Sequence, residues 1–341
     1  MRIALLAPVW FPVPPTGYGG IEWVVSLLAD GLVDAGHDVT LFASGDSRTK
    51  ADLAWAFEIA PSAEIGRSQV EIIHALTCFE RAHEFDIIHD HSGPPAAVIA
   101  GAVATPTVHT VHGPLLGEPG ELYEQVARVA PRTRLISISM NQRAPHPGLP
   151  WLANIPNALD FSVYPAQPHR GDYLLFLGRM SPEKGAHRAV AVAMETGLQL
   201  KLAGKRREPA EQLYFKEFVE PHLRAGQIEY LGEVTHGEKV ELLQNARATL
   251  FPIDWEEPFG LVMIESMACG TPVIATRRGS VPEVVEVGRT GIIVDDYAEM
   301  AAAVEAADAL DPAELRRAAE QRFSRGRMVD DHLAAYELAC A

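Results

Sequence analysis

Residues 250–285, LFPIDWEEPFGLVMIESMACGTPVIATRRGSVPEVV, constrain the fold of this chain more than any other stretch. They read as one unit of loop, helix, strand and loop. Leu250 and Phe251 close an apolar run, and Asp254, Glu256 and Glu257 make an acidic turn. Pro258 suits the first turn of a helix, where its missing N–H costs nothing. Gly270 stops that helix, and 272–276 is a short buried strand. A helix opening on Pro-Phe-Gly leaves free N–H groups and a positive dipole end at Phe259, Gly260 and Leu261, able to hold an anion such as phosphate.

Glu257 stands at the mouth of this helix and Glu265 eight residues further on. At helical rise they are about 12 Å apart. Paired carboxylates of the hydrolytic kind stand about 5–9.5 Å apart, so these two do not form such a pair. Their spacing suits the two ends of one extended ligand whose middle carries phosphates. An acidic helix N-terminus serving stability alone reads equally well from spacing.

The rest of the chain repeats strand and helix in alternation. At 341 residues it exceeds the size at which one core stops growing, so two domains are expected. Residues 2–8 read as a buried parallel strand. A glycine turn with Gly17, Gly19 and Gly20, a helix, a stop at Gly36 and a second strand follow, which is a βαβ unit. The glycines do not spell G-x-G-x-x-G, so a nicotinamide dinucleotide site is poorly supported. Residues 45–70 have little periodicity and read as a surface loop with a short helix. FDIIHDHSG (85–93) and TPTVHTVHGP (105–114) are strands whose polar ends bring His89, Asp90, His91, His109 and His112 to the carboxyl edge of a sheet, where open parallel sheets bind ligands. A metal site and a polar, metal-free ligand site both fit that histidine cluster. The proline-rich 164–172 reads as a linker, and YLLFLGRMSPEKG (173–185) as a strand whose turn carries Arg179 and Lys184, spaced to flank a pyrophosphate.

Charge and cysteines exclude several classes. The net charge of −16 is spread over both halves and neither half is basic, which argues against nucleic acid and against a polybasic membrane dock. Cys78, Cys269 and Cys340 have no metal spacing and are an odd number, which fits a reducing, cytoplasmic setting. Trp10, Phe11 and Pro12 cut the first apolar run too short for a signal peptide, and no run approaches the about 20 residues of a membrane span.

EPFGLVMIESMACGTPVIA followed by GSVPEVV resembles the Glu-(seven residues)-Glu signature of the family-4 retaining glycosyltransferases. GYGGIEWVV, VHG, GRMSPEKG and WLANIPNALDFSVY resemble further motifs of that family, and the likeness covers nearly the whole chain. In the last of these the family's usual glycine is Ala158, so a left-handed backbone is not expected there. The resemblance implies an α/β GT-B fold, two Rossmann-like domains facing each other across a cleft. Boundaries are then expected at 1–163 for the acceptor-side domain, 164–325 for the nucleotide-sugar domain, and 326–341 for a helix returning to the first.

The implied activity is retaining transfer of a hexose from a nucleotide diphosphate donor to an acceptor hydroxyl. UDP-glucose is the first expectation for the donor, then UDP-N-acetylglucosamine and GDP-mannose. By resemblance, Glu257 holds the sugar hydroxyls, Glu265 the ribose, and Arg179 and Lys184 the diphosphate, with Phe259, Gly260 and Leu261 lining the donor. Gly19 and Gly20 approach the donor phosphates and sugar, His112 contacts the hexose, Val234 meets the base, and Asp90 and His91 face the acceptor. No D-x-D triplet occurs, so fixed cations and a helix N-terminus are expected to neutralise the leaving diphosphate, with no metal and no cofactor. An epimerase or phosphorylase on the same fold, and a non-catalytic nucleotide-sugar binding module, stay open as alternatives.

Overall fold

The computed structural model describes residues 1–17, 19–224 and 226–341. The chain divides into two compact units, Met1–Leu159 with Arg325–Ala341, and Asp160–Ser324.

In the first unit the strands are β1 (Arg2–Leu6), β2 (Asp38–Phe42), β3 (Asp52–Ala54), β4 (Ile87–Asp90), β5 (Thr107–Thr110), β6 (Arg134–Ser137) and β7 (Trp151–Asn154). Its helices are α1 (Gly20–Asp34), α2 (Ser68–Phe79), α3 (Pro94–Ile99), α4 (Glu118–Val129) and α5 (Met140–Arg143). In the second unit the strands are β8 (Tyr173–Leu177), β9 (Gln199–Ala203), β10 (Ile228–Tyr230), β11 (Ala246–Phe251), β12 (Val273–Thr276) and β13 (Gly291–Val294). Its helices are α6 (Ala186–Thr196), α7 (Pro209–Phe218), α8 (His236–Gln244), α9 (Leu261–Ala268), α10 (Val281–Val284), α11 (Met300–Asp308) and α12 (Pro312–Phe323). The last helix, α13 (Arg325–Cys340), belongs to the first unit.

Both sheets are parallel and wound the same way. Their orders are β3-β2-β1-β4-β5-β6-β7 and β10-β9-β8-β11-β12-β13. In each, the first strand of the unit neighbours its second and its fourth, so the winding reverses beside β1 in one sheet and beside β8 in the other. That reversal opens a crevice at the carboxyl ends of β1 and β4, and of β8 and β11, the place where such sheets bind ligands. Each unit is therefore Rossmann-like. The strands are near-continuous apolar runs because helices cover both faces: Ile3, Leu5, Leu6, Ile87 and Ile88 in one sheet, and Leu174, Leu175, Leu200 and Ile274 in the other, are fully buried.

α13 docks on α1 through Gly31, where a Cβ would lie 2.5 Å from Val329 Cγ2. On its inner face the fully buried Tyr336 reaches His89 of β4.

Several sequence expectations need correction. The helix after Glu257 starts at Leu261 and not at Pro258, because Gly260 takes a left-handed backbone (φ +80°) that no helix can continue through. Residues 45–70 hold the expected short helix, a 3-10 turn at Ser62–Glu64, but also the strand β3, too short at the sheet edge to show a period, and α2 begins within them at Ser68. β13 was not expected; Gly291 opens it, and a Cβ there would meet Val273 O at 2.3 Å, so only glycine lets this strand pair so closely with β12. Residues 164–172 are no free tether. Tyr164 is buried, Gln167 N donates to Cys269 O at 3.2 Å, and Gly171 packs against Asn245. Ala158 follows expectation: among the described residues, positive φ occurs only at glycine.

Candidate functional site

In the second unit two loops leave the crevice, one after β8 and one after β11. The β8 loop carries Arg179 and Lys184 and ends at Gly185, which caps α6 with φ +79°. A Cβ on Gly185 would meet Pro252 O at 2.2 Å, so glycine lets this loop lie against the residues following β11. Asp254 N donates to Glu183 O at 2.9 Å and Arg188 Nη1 donates to Pro252 O at 3.0 Å, lacing the two loops together.

This lacing brings Lys184 to Glu257. The Lys184 ammonium donates to Glu257 Oε2, and the Trp255 indole N–H donates to the same oxygen at 3.2 Å. Lys184 Nζ also stands 4.6 Å from the centre of the Trp255 ring. Their side chains are only 17% and 10% exposed, so the ion pair is shielded enough that removing one partner strands the other. Arg179 donates to Glu183 Oε1 at 3.1 Å, and Ser181 Oγ donates to that same oxygen at 2.7 Å.

A third segment, after β12, fixes the Glu257 backbone. Ser280 N donates to Glu257 O at 2.9 Å and Gly279 N to Glu256 Oε2 at 2.9 Å. Gly279 takes φ +54°, and a Cβ on it would lie 2.3 Å from Glu257 N. The glycine of the GSVPEVV loop is therefore steric in its role: it lets the loop touch the acidic turn backbone to backbone.

Past this turn, α9 runs away from the crevice. Phe259 precedes the helix, and the amides of Gly260 and Leu261 belong to its first turn, where intrahelical acceptors are lacking. Further along α9, Glu265 is 5% exposed. Its Oε1 accepts from Tyr164 O–H at 2.9 Å and from the Lys239 ammonium on α8. Burial and the adjacent carboxylate push the Tyr164 phenol well above its ordinary range, so it donates at any working pH. Val234 sits between the Gly232 turn and Thr235, which caps α8 in a reciprocal pair with Glu238. Arg207 holds Glu233 beside it at 2.6 Å.

In the first unit, the β1–α1 connection and the ends of β4 and β5 form the corresponding crevice. Gly19 caps α1 with φ +148°, and a Cβ on it would run into Pro15 and Glu22 within 2.9 Å. Gly20 begins the helix. Glu22 is 5% exposed, and burial raises its carboxyl to about 7.

The histidines are wired in pairs. The parallel register sets Asp90 beside His109. His109 Nδ1 lies 2.5 Å from Asp90 Oδ2 and its Nε2 2.7 Å from Tyr123 O–H. His89 lies between Tyr336 O–H (2.6 Å) and Thr110 Oγ1 (2.7 Å). Asp90 Oδ1 accepts from both the amide and the hydroxyl of Ser92 at 2.7 Å. Asp90 is thus fully buried and committed to structure. That sets it apart from the acceptor-facing role the resemblance implies.

His91 Nδ1 lies 2.9 Å from His112 Nε2, while His91 Nε2 is buried with no partner. Burial and neighbouring histidines lower both imidazoles, so both are neutral at pH 7. A stranded N–H costs more than a stranded lone pair. The proton between them therefore belongs to His91 Nδ1, and half-buried His112 carries its own proton on Nδ1, as a neutral donor. Among the described residues, no three His, Cys, Asp or Glu side chains are grouped to hold a metal ion.

Comparison with known proteins gives the family. Residues 164–324 match the family described as glycosyl transferases group 1, and residues 18–151 match glycosyltransferase family 4. The chain belongs to the family-4 glycosyltransferases of GT-B fold. Among its relatives is the glycogen synthase of Mycobacterium tuberculosis, 28% identical over 97% of this chain and 91% of that protein. Among solved structures, AviGT4, a glycosyltransferase involved in avilamycin A biosynthesis, is 27% identical, with a TM-score of 0.73 over 100% of this chain and 98% of its own. HepE of Anabaena, solved with UDP-glucose, is 20% identical and shares the fold, with a TM-score of 0.73 over 98% of this chain and 100% of its own.

Trp255, Gly279, Tyr164 and Lys239 are the site residues that sequence reasoning missed. Only Gly279 had a signal, its place in the GSVPEVV motif.

Proposed function

We propose that this glycosyltransferase moves a hexose, glucose first, from a nucleotide diphosphate donor to an acceptor hydroxyl, with retention of anomeric configuration. One observation carries the reading: the crevice of the second sheet gathers Arg179, Lys184, Glu257 and the first turn of α9, with Glu265 further along the same helix. Cations and free amides suit a diphosphate, and a carboxylate on either side suits hydroxyl-rich sugar and ribose.

Arg179 and Lys184, with the Gly260 and Leu261 amides, take the diphosphate and stabilise its charge as it leaves. Glu257 orders the sugar hydroxyls and Glu265 the ribose. Val234 borders the base. In the first unit Gly19 and Gly20 are assigned to the donor phosphates and sugar, His112 to a hexose hydroxyl as an N–H donor, and His91 to holding His112. The reaction proceeds without a metal ion. HepE, which binds UDP-glucose, supports UDP-glucose as the first donor to test.

A thermal-shift panel of UDP-glucose, UDP-N-acetylglucosamine and GDP-mannose tests the donor. A ligand at 100 times its Kd stabilises by about 2.7 kcal/mol. Proton NMR of the sugar released by slow donor hydrolysis tests retention: α-glucose is expected first from UDP-glucose, and β-glucose first overturns it. No stabilisation by any nucleotide sugar overturns the donor class itself.

A further inference from the structure

The Glu257 carboxylate depends on a cation that the reaction needs elsewhere. In the free protein Lys184 is its ion-pair partner, and on the reading above Lys184 is also a ligand of the diphosphate. One ammonium cannot serve both at full strength. A diphosphate carries more charge than one carboxylate, so donor binding draws Lys184 away. Glu257 must keep its orientation at that moment, because only then does it face the sugar.

The Glu257 backbone is secured by Ser280 and Gly279. Among the described residues its side chain has one other hydrogen-bond partner, the Trp255 indole N–H on Oε2. Trp255 and Glu257 are joined by a tight turn in which Glu257 N donates to Trp255 O at 2.9 Å, which keeps the two side chains on neighbouring stretches of one turn. The face of the same indole lies under the Lys184 ammonium. Edge and face thus touch the two groups whose partnership the donor breaks.

We propose that Trp255 is a positioning residue that holds the Glu257 carboxylate in place while Lys184 transfers from Glu257 to the donor diphosphate. This rests on the assignment of Glu257 to the sugar and Lys184 to the diphosphate. Trp255 touches neither reacting atom. Its indole edge supplies a hydrogen bond that survives donor binding, and its face gives up a cation.

The test compares Trp255→Phe, which keeps a ring and loses the N–H, with wild type and Glu257→Gln. The donor is the nucleotide sugar that the thermal-shift panel selects. Trp255→Phe should lower kcat for donor hydrolysis about tenfold to hundredfold, the worth of one hydrogen bond to a charged group. Its Kd for the free nucleoside diphosphate should stay within about twofold of wild type. A purely structural role moves both together, and that result overturns the proposal. So does wild-type kcat in Trp255→Phe. If Glu257→Gln is inactive and Trp255→Phe is wild type, only this inference falls; if Glu257→Gln keeps full activity, the site reading falls first.

A measurement on the unmutated protein stands if Trp255→Phe does not fold. Of the five tryptophans, only Trp255 is in the second unit. With ¹⁵N-labelled tryptophan, its indole N–H should remain protected from exchange when nucleoside diphosphate saturates the protein. The chemical shift should move as the ammonium leaves the ring. Fast exchange of that N–H in the complex overturns the proposal.

Discussion

Replacing Gly279 by alanine should damage catalysis more than stability. The residue takes φ +54°, where an L side chain is strained by about 1–2 kcal/mol. A second effect is particular to this site. The new Cβ would stand 2.3 Å from Glu257 N and 2.4 Å from Glu257 O, whereas ordinary contact begins at 3.4 Å. The Glu256–Glu257 turn must then retreat by about 1 Å, and a misplacement of that size costs about a hundredfold in rate. Gly288 supplies the control. It has φ +75° in the same unit with nothing within 4 Å of its Cβ position, so Gly288→Ala carries the strain without the displacement. Both variants should lose thermal stability through the shared strain, Gly279→Ala the more because its turn is also displaced. Only Gly279→Ala should lose donor hydrolysis, with nucleoside diphosphate affinity retained. Equal activity in the two variants would refute the claim that the loop after β12 sets the position of Glu257.

Glu22 makes the first unit sensitive to pH. Its carboxyl is raised to about 7 by burial, from 4.5, so between those values the folded chain keeps a proton that the unfolded chain has released. Stability therefore falls as pH rises through that window and levels off above 7. Glu22→Gln should remove the slope and gain up to about 3 kcal/mol at pH 8. Urea unfolding at pH 5 and pH 8, followed by tryptophan fluorescence, checks it; an unchanged slope in the variant sinks it. Glu265→Ala should weaken nucleoside diphosphate and nucleotide sugar alike by about 1.5–3 kcal/mol, read by calorimetry, and equal affinity for the free diphosphate would contradict the ribose assignment. In excess EDTA most activity should persist, while Lys184→Ala should abolish it. Loss in EDTA that magnesium or manganese restores would reverse that expectation.

What the sequence revealed followed from periodicity and motif, and what it hid followed from register and sterics. The acidic turn, the helix bearing Glu265 and the basic turn after β8 were all legible, because each is a local pattern. Pro258 is a strong helix-opening signal, whereas the left-handed backbone at Gly260 and the closeness of Met263 and Phe251, which leaves no room for a Cβ there, have no local pattern. Trp255 gave no signal: one aromatic residue in a loop has no period. The pairing of Asp90 with His109 depends on the register of β4 with β5, and that of His89 with Tyr336 joins residues 247 positions apart. The hydrogen-bond partners of the histidine cluster were thus out of reach of any local pattern.

The two carboxylates that flank the first turn of α9 are held in opposite ways, and this predicts different kinetic roles. Glu265 is tied at Oε1 by Tyr164 and Lys239, neither of which is assigned to the donor. On the proposed assignment its other oxygen takes the ribose, and these two partners hold the carboxylate in one orientation throughout the reaction. Such a contact strengthens ground state and transition state equally, so its loss appears in affinity and not in kcat. Glu257 is tied by Lys184, which the proposed function also assigns to the diphosphate as the glycosidic bond breaks. On that assignment the Glu257 carboxylate loses its cation as Lys184 shifts and bonds more strongly to the sugar hydroxyls, most of all when the sugar ring becomes positive. Its loss should therefore appear in kcat. The difference between the two residues lies in their partners and not in their own chemistry.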